Sequence, residues 1–192
     1  LIEADHAYDL WDIDGGEIPG QMPEGEMVVG IVDNALDWDH PDLINNIWQN
    51  LGEDADGDGM VIVQSGNTWI FDPGDENDVD DDNDGYIDNF IGWDVAFNDN
   101  DPVPPNSQYD HGTTVSGCVS AVTNNNNGIA SVGWSVKLMG INSTDDPGFV
   151  THGYNGILAA AQMGADVINC SWGSTGGGNQ SVINNAYNNY GC

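Results

Sequence analysis

The residues best suited to chemistry in this chain are an acid, a histidine and two knots of carboxylates. Asp33 closes the apolar run Val28–Val32, and His111 opens the small-residue stretch HGTTVSGCVSAV. Brought together, an aspartate orients an imidazole and stabilises its charged form, while the imidazole takes a proton from a hydroxyl. Gly112 follows His111 at once, so no side chain on the next residue obstructs approach to the ring. A third part is Ser171-Trp172-Gly173 at the end of another apolar run. Backbone groups there can pair with an extended peptide, with pockets beside them reading side chains. Acid, base and peptide-binding edge are three parts of a nucleophilic hydrolase.

The carboxylate knots suggest a second chemistry. Counted from Asp80, oxygens fall at Asp80, Asp82, Asp84 and Asp88, with Gly85 sixth and the carbonyl of Tyr86 seventh. That is the spacing of a calcium loop, whose twelfth position supplies a bidentate carboxylate. Here the twelfth residue is Ile91, so that ligand is missing or comes from elsewhere. Asp54, Asp56 and Asp58 begin the same way but run into Met60-Val61-Ile62-Val63. Without an ion, carboxylates ~5 Å apart repel by about 1–3 kcal/mol per pair.

Composition narrows the field of partners. The formal charge is −31, and Lys137 is the only Lys or Arg in 192 residues. Such a surface repels phosphate backbones and anionic lipid, which argues against nucleic acid and membrane surfaces. Calcium, or a medium salty enough to screen self-repulsion, fits better. No run approaches the ~18 apolar residues of a membrane span. Cys118, Cys170 and Cys192 lack metal-ligand spacing. The first two lie in apolar runs and read as small buried hydrophobes; a bridge between them is not favoured. His40, before Pro41, reads as a hydrogen-bonded turn residue, and Gly176–Gly178 as a loop.

The elements that must position these groups alternate between strand and helix. Val28–Val32 has adjacent β-branched pairs and no alternation, as in a strand covered on both faces. Val136–Ile141 and Asp166–Ser171 read as two further buried strands. Helices are expected from His111 to Val122, from Thr151 to Met163 with Gly164 as its stop, and from Ser181 to Tyr190 closed by Gly191. Residues 1–26 form a leading helical turn and loop, and about 49–107 a long acidic insertion, which is usually functional or ion-ordered at such length. Strands and helices in this order give an α/β fold with a parallel sheet and right-handed crossovers.

Taken together, these stretches resemble the N-terminal part of a subtilase, a subtilisin-like serine protease. The resemblance rests on VVGIVDNALDWDHPDL (28–43), GWDVAFNDNDP (92–102), HGTTVSG (111–117), residues 128–138 and GADVINCSWG (164–173). It implies a subtilisin-like parallel sheet flanked by helices, with residues 27–192 the N-terminal part of one catalytic domain that lacks its C-terminal part. It assigns Asp33 and His111 to the catalytic triad and Ser171, Trp172 and Gly173 to the substrate groove. It also makes Asp42 a candidate calcium ligand. Three departures stand out: Asn34 and Ala35 replace the family's Thr/Ser-Gly, and Thr114 replaces its second His. Ala35 is costly, by about 1 kcal/mol, if the turn requires positive φ.

The family's Gly-Thr-Ser-Met-Ala segment does not occur in this sequence, and Ser171 and Ser174 lie in the groove strand. The expectation is therefore a secreted, calcium-stabilised serine endopeptidase acting on proteins or peptides. This chain holds its Asp and His but not its Ser, and is inactive alone. The alternatives are a non-enzymatic acidic calcium-binding interaction module and a catalytically silent subtilase-like domain.

Overall fold

The computed structural model describes residues 4–22, 25–146, 149–173 and 178–192. A short helix, α1 (Ala4–Tyr8), leads to a two-stranded ribbon, β1 (Gln21–Met22) and β2 (Gly25–Glu26). The next strand, β3 (Val28–Asp33), is buried at every position, as its unbroken apolar run requires. A hairpin follows, β4 (Ile62–Ser65) and β5 (Thr68–Phe71), and then β6 (Gly92–Asp94) and α2 (His111–Ser120). The chain continues through β7 (Lys137–Asn142), α3 (Gly153–Gln162), β8 (Val167–Asn169) and α4 (Gln180–Asn185), which runs into a π-helical turn at Ala186–Tyr190.

One four-stranded sheet, in the order β6-β7-β3-β8 and parallel throughout, organises the molecule. Alternate residues of β3 feed two cores. Val29 and Ile31 join Leu36, Leu43, Phe90, Leu138 and the α2 side, whereas Val28 and Val32 join Met139, Ile141, Ile157 and the alanines of α3. Helices therefore cover both faces, the α/β arrangement expected from the sequence. Two helix stops were legible as well: Gly164 and Gly191 have φ of +89° and +85°.

Three expectations are corrected. Asp166–Ser171 is not a buried strand: only Val167–Asn169 pair, and Val167 is 49% exposed because β8 lies at the sheet's edge. Cys118 and Cys170 are exposed rather than buried, and all three thiols are unpaired. An apolar neighbourhood in sequence says nothing about which side of an edge strand or helix faces solvent. The insertion, moreover, is no simple excursion. Its hairpin adds Val61, Ile62, Trp69 and Phe71 to the core, and Phe71 stacks on Trp38 with ring centroids 5.4 Å apart. The loop reading of Gly176–Gly178 and the position of Ser174 fall on or beside residues outside those described.

Candidate active site

Asp33 occupies the last position of β3 and His111 the first of α2. Their side chains meet, with His111 Nδ1 2.7 Å from Asp33 Oδ1. An ionised carboxylate offers only acceptors, so Nδ1 carries the proton and Nε2 is left to accept one. The Asp33 side chain is 2% exposed and that of His111 54%, so the acid is sequestered while the ring faces open space.

The backbone around the pair explains its geometry. Asn34 N–H donates to Asp33 Oδ1 at 2.8 Å, and Gly112 N–H donates to Asn34 Oδ1 at 2.8 Å. Asn34 thus does what a Thr or Ser hydroxyl would do, tying the first turn of α2 to the end of β3. The strand-end carbonyl of Asp33 accepts from Ser143 N–H at 2.8 Å, which locks the loop after β7 against the same point. Ala35 takes φ of +93°, so the turn does demand the conformation that a side chain disfavours. Gly112 is required by close approach: a Cβ there would lie 2.1 Å from the Ala35 carbonyl oxygen. Asp33 Oδ2 is buried and has no hydrogen-bond partner among the described residues.

Asp33, Asn34 and His111 line a cleft of about 340 Å³ together with Phe149, Val150 and Ser171-Trp172-Gly173. All five residues singled out for catalysis or substrate contact therefore border one space. Trp172 is half-buried, its indole N–H donating to Val32 O at 2.8 Å and its ring edge-on to Tyr154. It is at once a structural anchor and part of the wall. Ser171 is exposed, with its hydroxyl donating to Asn169 Oδ1 at 2.8 Å.

Among the described residues, carboxylates gather into two groups, each with a member that sequence reading missed. Glu53, Asp80 and Asp82 bring one oxygen apiece within 4.8 Å of one another. Glu53 is wholly buried and accepts from the backbone N–H groups of Asp81, Asp82 and Asp88. Burial, reinforced by the nearby Asp82 carboxylate, pushes it up to about 7 against the pull of those donors. It brings a further carboxylate to a loop that lacks its twelfth ligand, and only the folded chain reveals it. Two oxygens bound to one calcium at ~2.4 Å lie at most ~4.8 Å apart, so this donor set fits a hard, oxygen-seeking cation.

Asp84 and Asp88 are not in that group. Asp84 accepts from Tyr86 N–H and from the Asn89 amide, and Asp88 from the N–H groups of Asn77 and Asp78. The Tyr86 hydroxyl donates to Gln162. The second group is Asp54, Asp56 and Asp75. Asp58 lies outside it, accepting from Met60 N–H, and Asp75 was not anticipated. Asp42 is buried, its two oxygens accepting from the Asn125 amide and Ile129 N–H. His40 accepts from Asp42 N–H at 3.1 Å, as a turn histidine should.

A sequence model described as "Subtilase family" matches residues 24–191. Subtilisin-like protease 1 of Plasmodium berghei is 34% identical over 116 residues, covering 60% of this chain and 16% of that protein. Thermitase of Thermoactinomyces vulgaris is 42% identical over 101 residues, covering 50% of this chain and 35% of that protein. Halolysin of Haloferax mediterranei is 30% identical over 175 residues, covering 90% of this chain and 24% of that protein. Among solved structures, the complex of the Aeromonas sobria serine protease with its chaperone matches 82% of this chain and 19% of that one. The TM-score is 0.51 at 23% identity, a likeness of fold. The chain thus spans about a third or less of the length of these relatives.

Proposed function

The chain belongs to the subtilase family, and from that premise we propose that it carries the acid–base half of a serine endopeptidase site. The observation behind this reading is the 2.7 Å contact between His111 Nδ1 and Asp33 Oδ1 at the rim of a cleft. Asp33 holds the ring with Nε2 free of its proton and stabilises the imidazolium that forms. His111 accepts the proton of a serine hydroxyl as that oxygen attacks a peptide carbonyl, then returns it to the departing amine. Ser171-Trp172-Gly173 receives the substrate backbone, with the indole and Phe149 as walls. The family's Gly-Thr-Ser-Met-Ala segment does not occur in these 192 residues, and on this reading the chain alone turns over nothing.

Calcium is part of the same reading. Glu53, Asp80 and Asp82 would hold it, and its work would be structural, neutralising crowded carboxylates within the insertion. Secretion is part of the same reading and rests on the likeness to the subtilase family.

A serine-directed phosphonate tests the assignment on the full-length protein. One label per molecule, lost in His111→Ala, is the expected result. Properly folded protein that takes no label would sink the protease and leave the acidic ion-binding module or the catalytically silent subtilase-like domain.

A further inference from the structure

We infer that Asp54, Asp56 and Asp75 form a second divalent-cation site, of calcium type, that fastens the two feet of the β4–β5 hairpin together. The three carboxylates each bring an oxygen within 4.8 Å of the others, the reach of a single calcium. Clustered acids alone would say little. The decisive observation is Asp75: the residue is wholly buried, and its Oδ2 atom has no hydrogen-bond donor among the described residues. Its Oδ1 accepts from Ala55 N–H at 2.9 Å and Asp56 N–H at 3.2 Å. One oxygen of a buried carboxylate is therefore satisfied and the other orphaned, beside two more carboxylates. A buried carboxylate oxygen left bare in a low-dielectric setting is disfavoured, whereas a cation supplies the missing partner.

The Asp56 carboxylate lies close against the other foot: a Cβ on Gly74 would fall 2.3 Å from Asp56 Oδ2. Asp54 and Asp56 precede β4, and Asp75 follows β5, nineteen residues from Asp56. The hairpin between them carries Ile62 and Phe71 into the core. An ion at its base thus holds in place a piece of core that the acidic insertion would otherwise repel. The site differs from the Glu53 group in every ligand, although Glu53 and Asp54 are adjacent, so the two centres share one peptide bond.

Calcium counting tests this. The chain is stripped with chelator, dialysed against calcium chloride, and compared with Asp75→Asn, Asp56→Asn and Glu53→Gln. Asparagine at 75 keeps an acceptor for the Ala55 and Asp56 N–H groups, and Asp56 is exposed, so the second variant folds even if the first does not. Asp75→Asn and Asp56→Asn should each lose one bound calcium per chain while retaining the one that Glu53→Gln removes. Thermal melts add a readout that a merely structural role would not move: calcium should raise the melting temperature of Asp75→Asn less than that of the parent. In chelator, Asp75→Asn should melt no lower than the parent. Unchanged stoichiometry in both Asp variants would overturn the inference, as would equal destabilisation with and without calcium. Loss in Glu53→Gln alone would leave only the first site standing, and no loss in any variant would remove both.

Discussion

At the residue scale, the pair at 33 and 111 was legible because each residue sits at a boundary its own neighbourhood announces. Asp33 ends an unbroken apolar strand, and His111 heads a helix of small residues with glycine behind it. Glu53 and Asp75 were not legible, since each is a lone acid whose partners are set by chain crossing rather than spacing. Ala35 yields a prediction from the same turn. Its φ of +93° costs about 1–2 kcal/mol for a side-chain-bearing residue, offset by roughly 0.5–1 kcal/mol of extra chain entropy for glycine. Ala35→Gly should therefore raise stability by about 0.5–1 kcal/mol, seen as a higher denaturant midpoint at unchanged slope; a lower midpoint would contradict this. Gly112→Ala should act the other way. A methyl 2.1 Å from a backbone oxygen cannot be absorbed by a rotamer change, so the helix start must shift. Overpacking of this kind costs about 1–3 kcal/mol and should draw His111 away from Asp33. In full-length protein, phosphonate labelling of Gly112→Ala should slow by at least tenfold, and wild-type labelling rates would refute the close-approach account.

At the scale of elements, the parallel sheet was readable from three apolar runs, whereas the strand order and the short strand β6, set inside the acidic insertion, were not. Nor was the edge status of β8, because a short apolar run reads the same whether one face or both are covered. The hairpin was missed because the carboxylates flanking it mask a short apolar pair of strands. Trp172 shows how an element and a site are joined. Its indole N–H caps the carbonyl of Val32, one residue before Asp33, while its ring borders the cleft. Trp172→Phe keeps the apolar wall but orphans a buried carbonyl, a loss of about 1–3 kcal/mol. Peptide KM should rise more than kcat falls in the full-length enzyme; the reverse pattern would show that the tryptophan positions Asp33 rather than substrate.

At the scale of the whole molecule, charge dominates. With formal charge −31 and one Lys, self-repulsion opposes folding; screening salt relieves it, and calcium at the proposed sites would relieve it further. The melting temperature should climb with sodium chloride in chelator and climb further, at constant ionic strength, with millimolar calcium. No response to either would contradict the electrostatic account. The open edge of β8, with Val167 exposed, should make the isolated 192-residue chain associate at high concentration. Sedimentation velocity showing a monomer at every concentration would argue that the edge is covered in solution.

The central claim is a proton held between two side chains, and proton NMR observes it directly. In nitrogen-labelled protein, the His111 Nδ1–H should appear as a strongly downfield imidazole resonance, coupled to its nitrogen and slow to exchange because its acceptor is buried. That signal should vanish in Asp33→Asn and in His111→Ala, with the rest of the spectrum intact. A well-folded protein with no such resonance, or one that persists in Asp33→Asn, would contradict the pairing and the acid–base role built on it.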